Sequence, residues 1–477
     1  MHLRMGNIVA ALLSVGSCAN AISLNVNDQG SIKAAAKTIA SSIIGLYNNH
    51  TSGRSPGLFA GPYYWWESGL TWDSMVNYWF LTNDTTYNDL VAEALLFQVG
   101  PDMNYMPTNQ SGTIGNDDQS YWALAAMTAA EQGFPYPSSA PPATWLQLAQ
   151  NVFDSQVARW DTSTCGGGLR WQIYSFNNGY DYKNAASVGN LYQLAARLSR
   201  FTGNQTYADW AGKAYDWTQS VGLIDATTPT HNATWAVYDG TGVKTNCSSV
   251  NRIQWSAYAA TFLYGSAVMY NQTSSANWNT RMTGHLSNIN HTFAPTPPAS
   301  SEGILTEIAC AANHDCNLDQ LVFRAPTARA LAQTMSYLSA SAPDVASGIA
   351  KLLRASAGRA AAQCSGGSNG TTCGSDWLAG TWDGTSGLGQ DLSALEIVLA
   401  NLALSARPLL NAHTPAAAAG SSGGNGTSVT GTPVSNFTAT LSSTASPVAQ
   451  TNGASGAASG LSVAAFASVC FLMTIFQ

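Results

Sequence analysis

Two adjacent carboxylates stand out in a chain that has few of them, in the run Gly115-Asn116-Asp117-Asp118-Gln119-Ser120-Tyr121-Trp122. Asp, Glu, Lys and Arg make up only 9% of the 477 residues, against roughly 25% in an average globular domain. A carboxylate pair at the start of a helix has a structural use, because Asn and Asp cap a helix and their charge suits its positive end. It also has a chemical use. Glycoside hydrolysis needs one carboxylate as nucleophile or base and one carboxylic acid to protonate the leaving oxygen, and a retaining reaction wants the two about 5–5.5 Å apart. Neighbours at a helix start project roughly 100° apart and can reach that separation, whereas neighbours in a strand face opposite ways. Mutual repulsion raises one pKa while the helix terminus holds the other down, which separates an acid from a nucleophile.

Aromatic residues group with polar ones near expected helix starts and loops: Tyr63-Tyr64-Trp65-Trp66-Glu67, Trp72, Trp122, Arg170-Trp171-Gln172, Tyr180-Asp181-Tyr182-Lys183-Asn184 and Gln254-Trp255. Flat rings cover the C–H faces of sugars while amides and carboxylates bind hydroxyls. The candidate sugar-binding set is therefore Trp65, Trp66, Glu67, Gln119, Trp122, Arg170, Trp171, Tyr182, Asn184, Gln254 and Trp255. Any single Trp is more often core than ligand platform, so the signal lies in the grouping. Other chemistries lack their residues. His50, His231, His285, His291 and His314 form no HExxH pair, and there is no GxSxG elbow or phosphate-binding loop. Gly166-Gly167-Gly168 reads as a tight turn, and Cys310, His314 and Cys316 lack zinc spacing. No metal and no cofactor is expected. With 19 basic against 26 acidic residues and a net charge of −7, the chain offers no face for polyphosphate, so no nucleic-acid partner is expected.

The elements that must position these residues are helical. About twelve helical patterns, near 30–48, 65–82, 85–99, 116–132, 144–160, 184–202, 205–221, 251–271, 274–293, 318–340, 343–363 and 387–406, show apolar spacing of three and four. Strand signals are sparse. The segment Leu81-Thr-Asn-Asp-Thr-Thr-Tyr87-Asn-Asp89-Leu90 echoes Phe201-Thr-Gly-Asn-Gln-Thr-Tyr207-Ala-Asp209-Trp210, with a degenerate copy from Tyr270 to Trp278. Each echo falls where one helix turns into the next. Helix hairpins that cannot bury their apolar faces alone must stack, and six of them in this length fit an all-α (α/α)6 toroid with a funnel at one end. An irregular all-helical domain is the alternative.

The ends predict export. Residues 1–21 carry Arg4, an apolar run from Ile8 to Leu13 and the small-x-small Ala19-Asn20-Ala21, the pattern of a signal peptide. Residues 22–410 form the expected catalytic domain, and no residue after Arg407 carries a formal charge. Residues 411–452 read as a disordered Ser/Thr/Gly/Ala-rich spacer. Residues 453–477 end in an apolar tail too short to span a bilayer, the layout of a removed glycosylphosphatidylinositol (GPI) signal with Asn452 as attachment site and Gly453 or Ser455 as alternatives. The expected location is the outer face of the plasma membrane or the cell wall, as a monomer. Six cysteines remain between the removed segments, and an even number in an oxidising compartment predicts three disulfides. Short separations favour Cys310 with Cys316 and Cys364 with Cys373, leaving Cys165 with Cys247. Eleven sequons, at Asn49, Asn83, Asn109, Asn204, Asn232, Asn246, Asn271, Asn290, Asn369, Asn425 and Asn436, mark candidate glycosylation sites.

These residues together resemble glycoside hydrolase family 76, the α-1,6-mannanases, and within it the fungal cell-wall proteins of the defective-cell-wall and defective-for-filamentous-growth type. The resemblance covers roughly 25–406 and rests on Tyr64-Trp65-Trp66-Glu67-Ser68-Gly69, Gly115-Asn116-Asp117-Asp118-Gln119, Cys165-Gly-Gly-Gly-Leu-Arg170-Trp171-Gln172, Tyr182-Lys183-Asn184, Gln254-Trp255-Ser256, Cys364-Ser-Gly-Gly and Leu388-Gly389-Gln390. It implies an (α/α)6 fold and retention of configuration, with Asp117 as nucleophile and Asp118 as acid/base. It further implies a mannan or GPI-core glycan as donor and cell-wall glucan as acceptor in a transglycosylation. Endo-hydrolysis of α-1,6-mannan is the alternative outcome of the same intermediate, and a non-catalytic mannan-binding wall protein is the alternative of another class. The sequence departs from the family pattern at Ala257-Tyr258-Ala259-Ala260 and at Phe323-Arg-Ala-Pro326, where the proline interrupts an expected helix.

Overall fold

A computed structural model describes residues 21–48, 55–140, 143–230, 233–298 and 300–412. Thirteen α-helices occur among them: α1 Gln29–Asn48, α2 Trp65–Thr82, α3 Asn88–Phe97, α4 Asn116–Gln132, α5 Trp145–Ala158, α6 Ala185–Thr202, α7 Gln205–Ser220, α8 Ser256–Thr273, α9 Ala276–Thr292, α10 Leu318–Val322, α11 Arg324–Leu338, α12 Pro343–Gln363 and α13 Leu388–Leu399.

Six helices pack in a closed ring, α2 on α4, then α6, α8, α11 and α13, with α13 returning to α2. Six more lie outside it, α3 on α2, α5 on α4, α7 on α6, α9 on α8, α12 on α11 and α1 on α13, and the short α10 packs on α13 just before α11. This is an (α/α)6 toroid. Sequence composition sets the layer of each helix. All 12 residues of α13 are buried, whereas α1 buries only 8 of its 20, along an Ile32/Ala36/Ile39/Ile43 stripe. A helix apolar on one stripe belongs at the surface, and one buried all round belongs inside.

The expected helix near 318–340 is two helices meeting at Phe323. Pro326 has no N–H to give and its ring would clash with the carbonyl of Val322, so α10 stops there and Pro326 sits in the first turn of α11, where the missing donor costs nothing. The expected helix from 251 begins only at Ser256, because residues 250–254 form a strand. β1 (Tyr182–Asn184), β2 (Ile224–Asp225) and β4 (Val250–Gln254) all pair antiparallel with β3 (Ala236–Gly242). The last expected helix, 387–406, ends at Leu399 and continues as a 3₁₀ turn over Ala400–Ser405. A short hairpin, β5 (Cys364–Gly366) with β6 (Thr372–Cys373), follows α12.

The three disulfides are Cys165–Cys247, Cys310–Cys316 and Cys364–Cys373. The sequon asparagines Asn83, Asn109, Asn204, Asn246, Asn271, Asn290 and Asn369 are all exposed. Asn49, Asn232, Asn425, Asn436, the leader, most of the spacer, the apolar tail and Asn452 lie outside the described residues. Among the described residues no helix is long and apolar enough to cross a membrane.

Inside the ring, scarce charges are spent on ion pairs. Arg329 of α11 meets Asp73 of α2 at 2.5 Å and also pairs with Glu396 of α13. Arg197 of α6 meets Glu131 of α4 at 2.8 Å and Thr128 at 2.8 Å. Each pair ties neighbours in the ring or bridges across it. Arg329→Met is therefore expected to destabilise the fold by about 3–5 kcal/mol, since Asp73 and Glu396 would stay buried without a cation. Denaturant unfolding measures this; a change below about 1 kcal/mol would show that the pairs do not hold the ring.

Candidate active site

The first turn of α4 carries Asp117 and Asp118, and its position is fixed through Asn116. The Asn116 N–H donates to the Trp171 carbonyl (2.8 Å), its Nδ2 donates to the Arg170 carbonyl (2.8 Å), and its Oδ1 accepts from Arg159 Nε (2.9 Å). Trp171 is held in turn by its N–H to the Tyr182 carbonyl at 2.7 Å. Lys183, fully buried, donates to the carbonyls of Asp161 and Thr164 and pairs with Asp161 at 3.2 Å. That lysine shapes the Cys165-Gly166-Gly167-Gly168 turn, where Gly168 has φ +92° and a Cβ would meet Trp217 at 2.4 Å. Only glycine fits there.

Both carboxylates line an open cleft of about 620 Å³, together with Trp66, Tyr121, Trp171, Tyr182, Asn184, Ala186, Asp239, Tyr258, Asp319 and Phe323. Asp118 accepts from the Gly115 N–H (2.7 Å), so it does cap the helix. Asp117 accepts from the Asp118 N–H (3.0 Å) and from Asn184 Nδ2 (3.4 Å). Burial raises the Asp117 carboxyl well above the ordinary range, and the Asp118 charge adds to it. Burial pushes Asp118 up to about 6, opposed by the Gly115 N–H and reinforced by Asp319. No cation lines the cleft. The two acids titrate as one unit and retain a proton where free carboxylates have lost both. An ionised carboxylate beside a protonated one is the equipment for double displacement at a sugar.

The sequence profile described as Glycosyl hydrolase family 76 matches residues 31–413. The chain belongs to that family. A mannan endo-1,6-alpha-mannosidase, DCW1 of Saccharomyces cerevisiae, is 45% identical over 386 residues, covering 81% of this chain and 82% of the yeast protein. The Candida albicans mannan endo-1,6-alpha-mannosidase DFG5 is 39% identical over 82% of this chain and 84% of its own length. The crystal structure of Dfg5 from Chaetomium thermophilum in complex with glucosamine superposes with a TM-score of 0.75 at 38% identity, covering 82% of this chain and 94% of that one. The GH76A alpha-1,6-mannanase of Salegentibacter, at 16% identity and a TM-score of 0.60, shares the fold.

Within this glycosyl hydrolase family 76 enzyme, the structure sorts the sequence-predicted residues. Trp66, Trp171, Tyr182 and Asn184 line the cleft with the carboxylates. Trp66 also donates from Nε1 to Asp319 at 3.1 Å and packs on Tyr121 at 4.6 Å. The others stand away from the cleft lining. Trp122 is fully buried between Trp65 and Tyr105, and Trp65 bonds Gln98. Glu67 is buried and takes the Tyr64 N–H. Gln119 is tied to the Asn104 carbonyl and to Arg159. Arg170 pairs with Asp161 at 2.9 Å and stacks on Tyr180. Gln254 bonds Thr230, and Trp255 stands behind the wall, donating to Asp239 at 3.0 Å. Helix periodicity explains the misplacement: Trp65 and Trp66, or Asp118 and Gln119, are adjacent and so face different ways. The missed residues are Ala186, beside the predicted Asn184, and Tyr121, Asp239, Tyr258, Asp319 and Phe323, the last two from one short segment at α10. The only sequence signal for Asp239 and Asp319 was their rarity as acids.

Burial also raises Glu67, Glu307 and Asp391 to about 7. With folded pKa values above the unfolded ones, the native state binds more protons than the unfolded chain between about pH 4 and 7. Stability therefore falls as pH rises through that window. The Tm is expected to be roughly 5 °C higher at pH 5 than at pH 7.5, and Asp117→Asn is expected to flatten that slope. Calorimetry across the range checks this, and a Tm that climbs with pH would contradict it.

Proposed function

We propose that this chain cleaves internal α-1,6-mannosidic bonds with retention and passes the mannosyl residue to a hydroxyl of cell-wall glucan. The observation that carries the reading is the pair of proton-retaining carboxylates, Asp117 buried and Asp118 half-buried, lining an aromatic-walled open cleft. Relatives named mannan endo-1,6-alpha-mannosidases support the bond type. So does the Salegentibacter mannanase, described as inactive when two consecutive aspartates are replaced by asparagine and complexed with α-1,6-mannotriose in that form.

Asp117 attacks the anomeric carbon and forms a glycosyl ester, while Asp118 gives its proton to the departing glycosidic oxygen. Asp118 then takes the proton of the acceptor hydroxyl, whose oxygen displaces Asp117. In the resting cleft the pair shares its proton, and these roles require it on Asp118 once the glycosidic oxygen lies there. The bidentate environment of Asn184, which bonds Asp117 through Nδ2 and caps α6 through Oδ1, holds the nucleophile in place. Trp66 and Trp171 supply aromatic surface to the cleft in which the sugar would lie. If the acceptor is water, the outcome is endo-hydrolysis of mannan. The donor is an α-1,6-mannan or the mannose core of a GPI remnant, and the enzyme works at the outer membrane face or in the wall, held by its own anchor at Asn452. Seven exposed sequon asparagines are consistent with a glycan coat.

Two measurements test the reading. An activated fluorinated mannoside is expected to leave a covalent adduct on the Asp117 peptide by mass spectrometry; an adduct on Asp118 would exchange the two roles. Incubation with a mannose-bearing anchor glycan and a labelled glucan oligosaccharide is expected to give a transfer product. Asp117→Asn and Asp118→Asn should each lower its formation by roughly 10³-fold or more. Release of free mannosyl fragments without transfer would assign hydrolysis, and turnover surviving both substitutions would leave only a binding protein.

A further inference from the structure

A groove of about 1610 Å³ runs between α1, the start of α13 and the β5–β6 hairpin, against about 620 Å³ for the catalytic cleft, with which it shares no lining residue. Hydroxyls are frequent along it: Thr38, Ser41 and Ser42 of α1, Thr371 and Thr372 of the hairpin, and Ser386. Tyr63 and Tyr87 add ring surface. Its one cation, Lys37, pairs with Asp84 at 3.4 Å. Hydroxyls beside aromatic rings, with no free cation, suit a neutral, hydroxyl-rich ligand.

The groove also holds one buried acid that is not fully satisfied. Asp391 of α13 is 5% exposed and lines it. Ser42 donates to Oδ2 at 2.7 Å and the Cys373 N–H also favours the charged form, yet Oδ1 has no hydrogen-bond partner among the described residues. A buried acceptor left unpaired costs about 1–3 kcal/mol, and a hydroxyl brought against Asp391 would offset that cost.

An attachment point for such a ligand stands on the rim. Asn369, of the sequon Asn369-Gly370-Thr371, lines the groove from the hairpin that Cys364–Cys373 closes. Its Oδ1 accepts from the Thr371 N–H at 3.1 Å and from the Thr372 hydroxyl at 3.3 Å. Those bonds fix the amide and leave Nδ2, the atom that carries an N-linked glycan, unengaged among the described residues. Asn246 borders a groove as well, but there Asp225 and Arg252 face each other at 3.8 Å and no buried side-chain atom in the lining lacks a partner. A sugar tethered at a rim samples its groove at an effective concentration of millimolar order, so weak contacts are enough to hold it. Three disulfides place the chain in an oxidising, export-type compartment, the setting in which such glycans are added.

We propose that the groove is a carbohydrate-binding site for the protein's own N-linked glycan: the sugars on Asn369 lie in it, against Asp391 and the hydroxyls of α1, and strap the hairpin to the joint between α1 and α13. The proposal is independent of which bond the catalytic cleft breaks.

The test uses the mature chain made in a glycosylating host. An endoglycosidase acting on the native protein is expected to release the sugars of the other occupied sequons at least tenfold faster than those of Asn369, and all at similar rates after denaturation, read site by site by mass spectrometry. Asp391→Leu should bring Asn369 up to the rate of the others. Ala34→Trp, on the exposed part of the lining, fills the groove without touching the acid and should do the same if the Asp391 variant fails to fold. Asn369→Asp keeps the oxygen that serves Thr371 and Thr372 but removes the glycan, and is expected to lower the Tm by roughly 3 °C or more. Asn369 found without sugar, or losing it in the native protein as fast as the other sites, would overturn the proposal. So would protection that survives both groove variants, since the glycan would then lie elsewhere. A Tm unchanged by Asn369→Asp would refute the strap.

Discussion

Closure of six helices into a ring is the constraint on which the rest of this protein depends. Because every inner helix is joined to the next through an antiparallel outer one, all six inner helices run the same way. Their N-terminal ends therefore meet at one face. Trp66 of α2, Asp117 of α4, Ala186 of α6, Tyr258 of α8 and Phe323 at the start of α11 line a single cleft although they are scattered over more than 250 residues. Helix N-termini bring unpaired N–H groups and a positive field, which is why two carboxylates can stand side by side there. Asp118 takes one of those N–H groups directly, from Gly115.

Scarce charge is used in opposite ways at different depths of the ring. Deeper in, Asp73, Glu131 and Glu396 each have an arginine, and the pairs tie helices together. At the cleft, Asp117, Asp118 and Asp319 have none. Burial raises a carboxyl pKa, and nothing of opposite charge stands beside the cleft acids to oppose it. The same residue types thus give rigidity in one layer and proton-carrying acids in the other. The low charge of the chain is what keeps these two environments from mixing, since each stray basic residue near the cleft would pull a carboxyl back to its ionised form.

The hairpin pattern was legible because outer helices must be amphipathic and inner ones apolar all round, and both leave a mark on the sequence. Eleven of the twelve helical segments appear as helices close to where periodicity puts them, and the twelfth splits at Phe323 as Pro326 dictates. The sheet was not legible. β3 is a run with two glycines and an aspartate, and it is a strand because β1, β2 and β4 supply partners from three other places. Local propensity carries no trace of such partners. In the site, motif membership was readable and direction was not. Trp65 and Trp66 are neighbours with the same chemistry, yet one stacks on Trp122 in the core and the other faces the cleft.

By itself, then, the sequence pointed to stacked helix hairpins with paired carboxylates at the start of one helix, to the family, and to the two short disulfide loops, Cys310–Cys316 and Cys364–Cys373. Periodicity, composition and spacing are properties of neighbouring residues, and these features depend on neighbours. Tertiary structure decided which aromatics line the cleft, that Asp239 and Asp319 join it, and that no arginine or lysine lines it beside the acids. Those outcomes depend on which face of each helix the ring turns inward and on what a distant segment places opposite. A wall built by several remote segments exists only once the ring has closed.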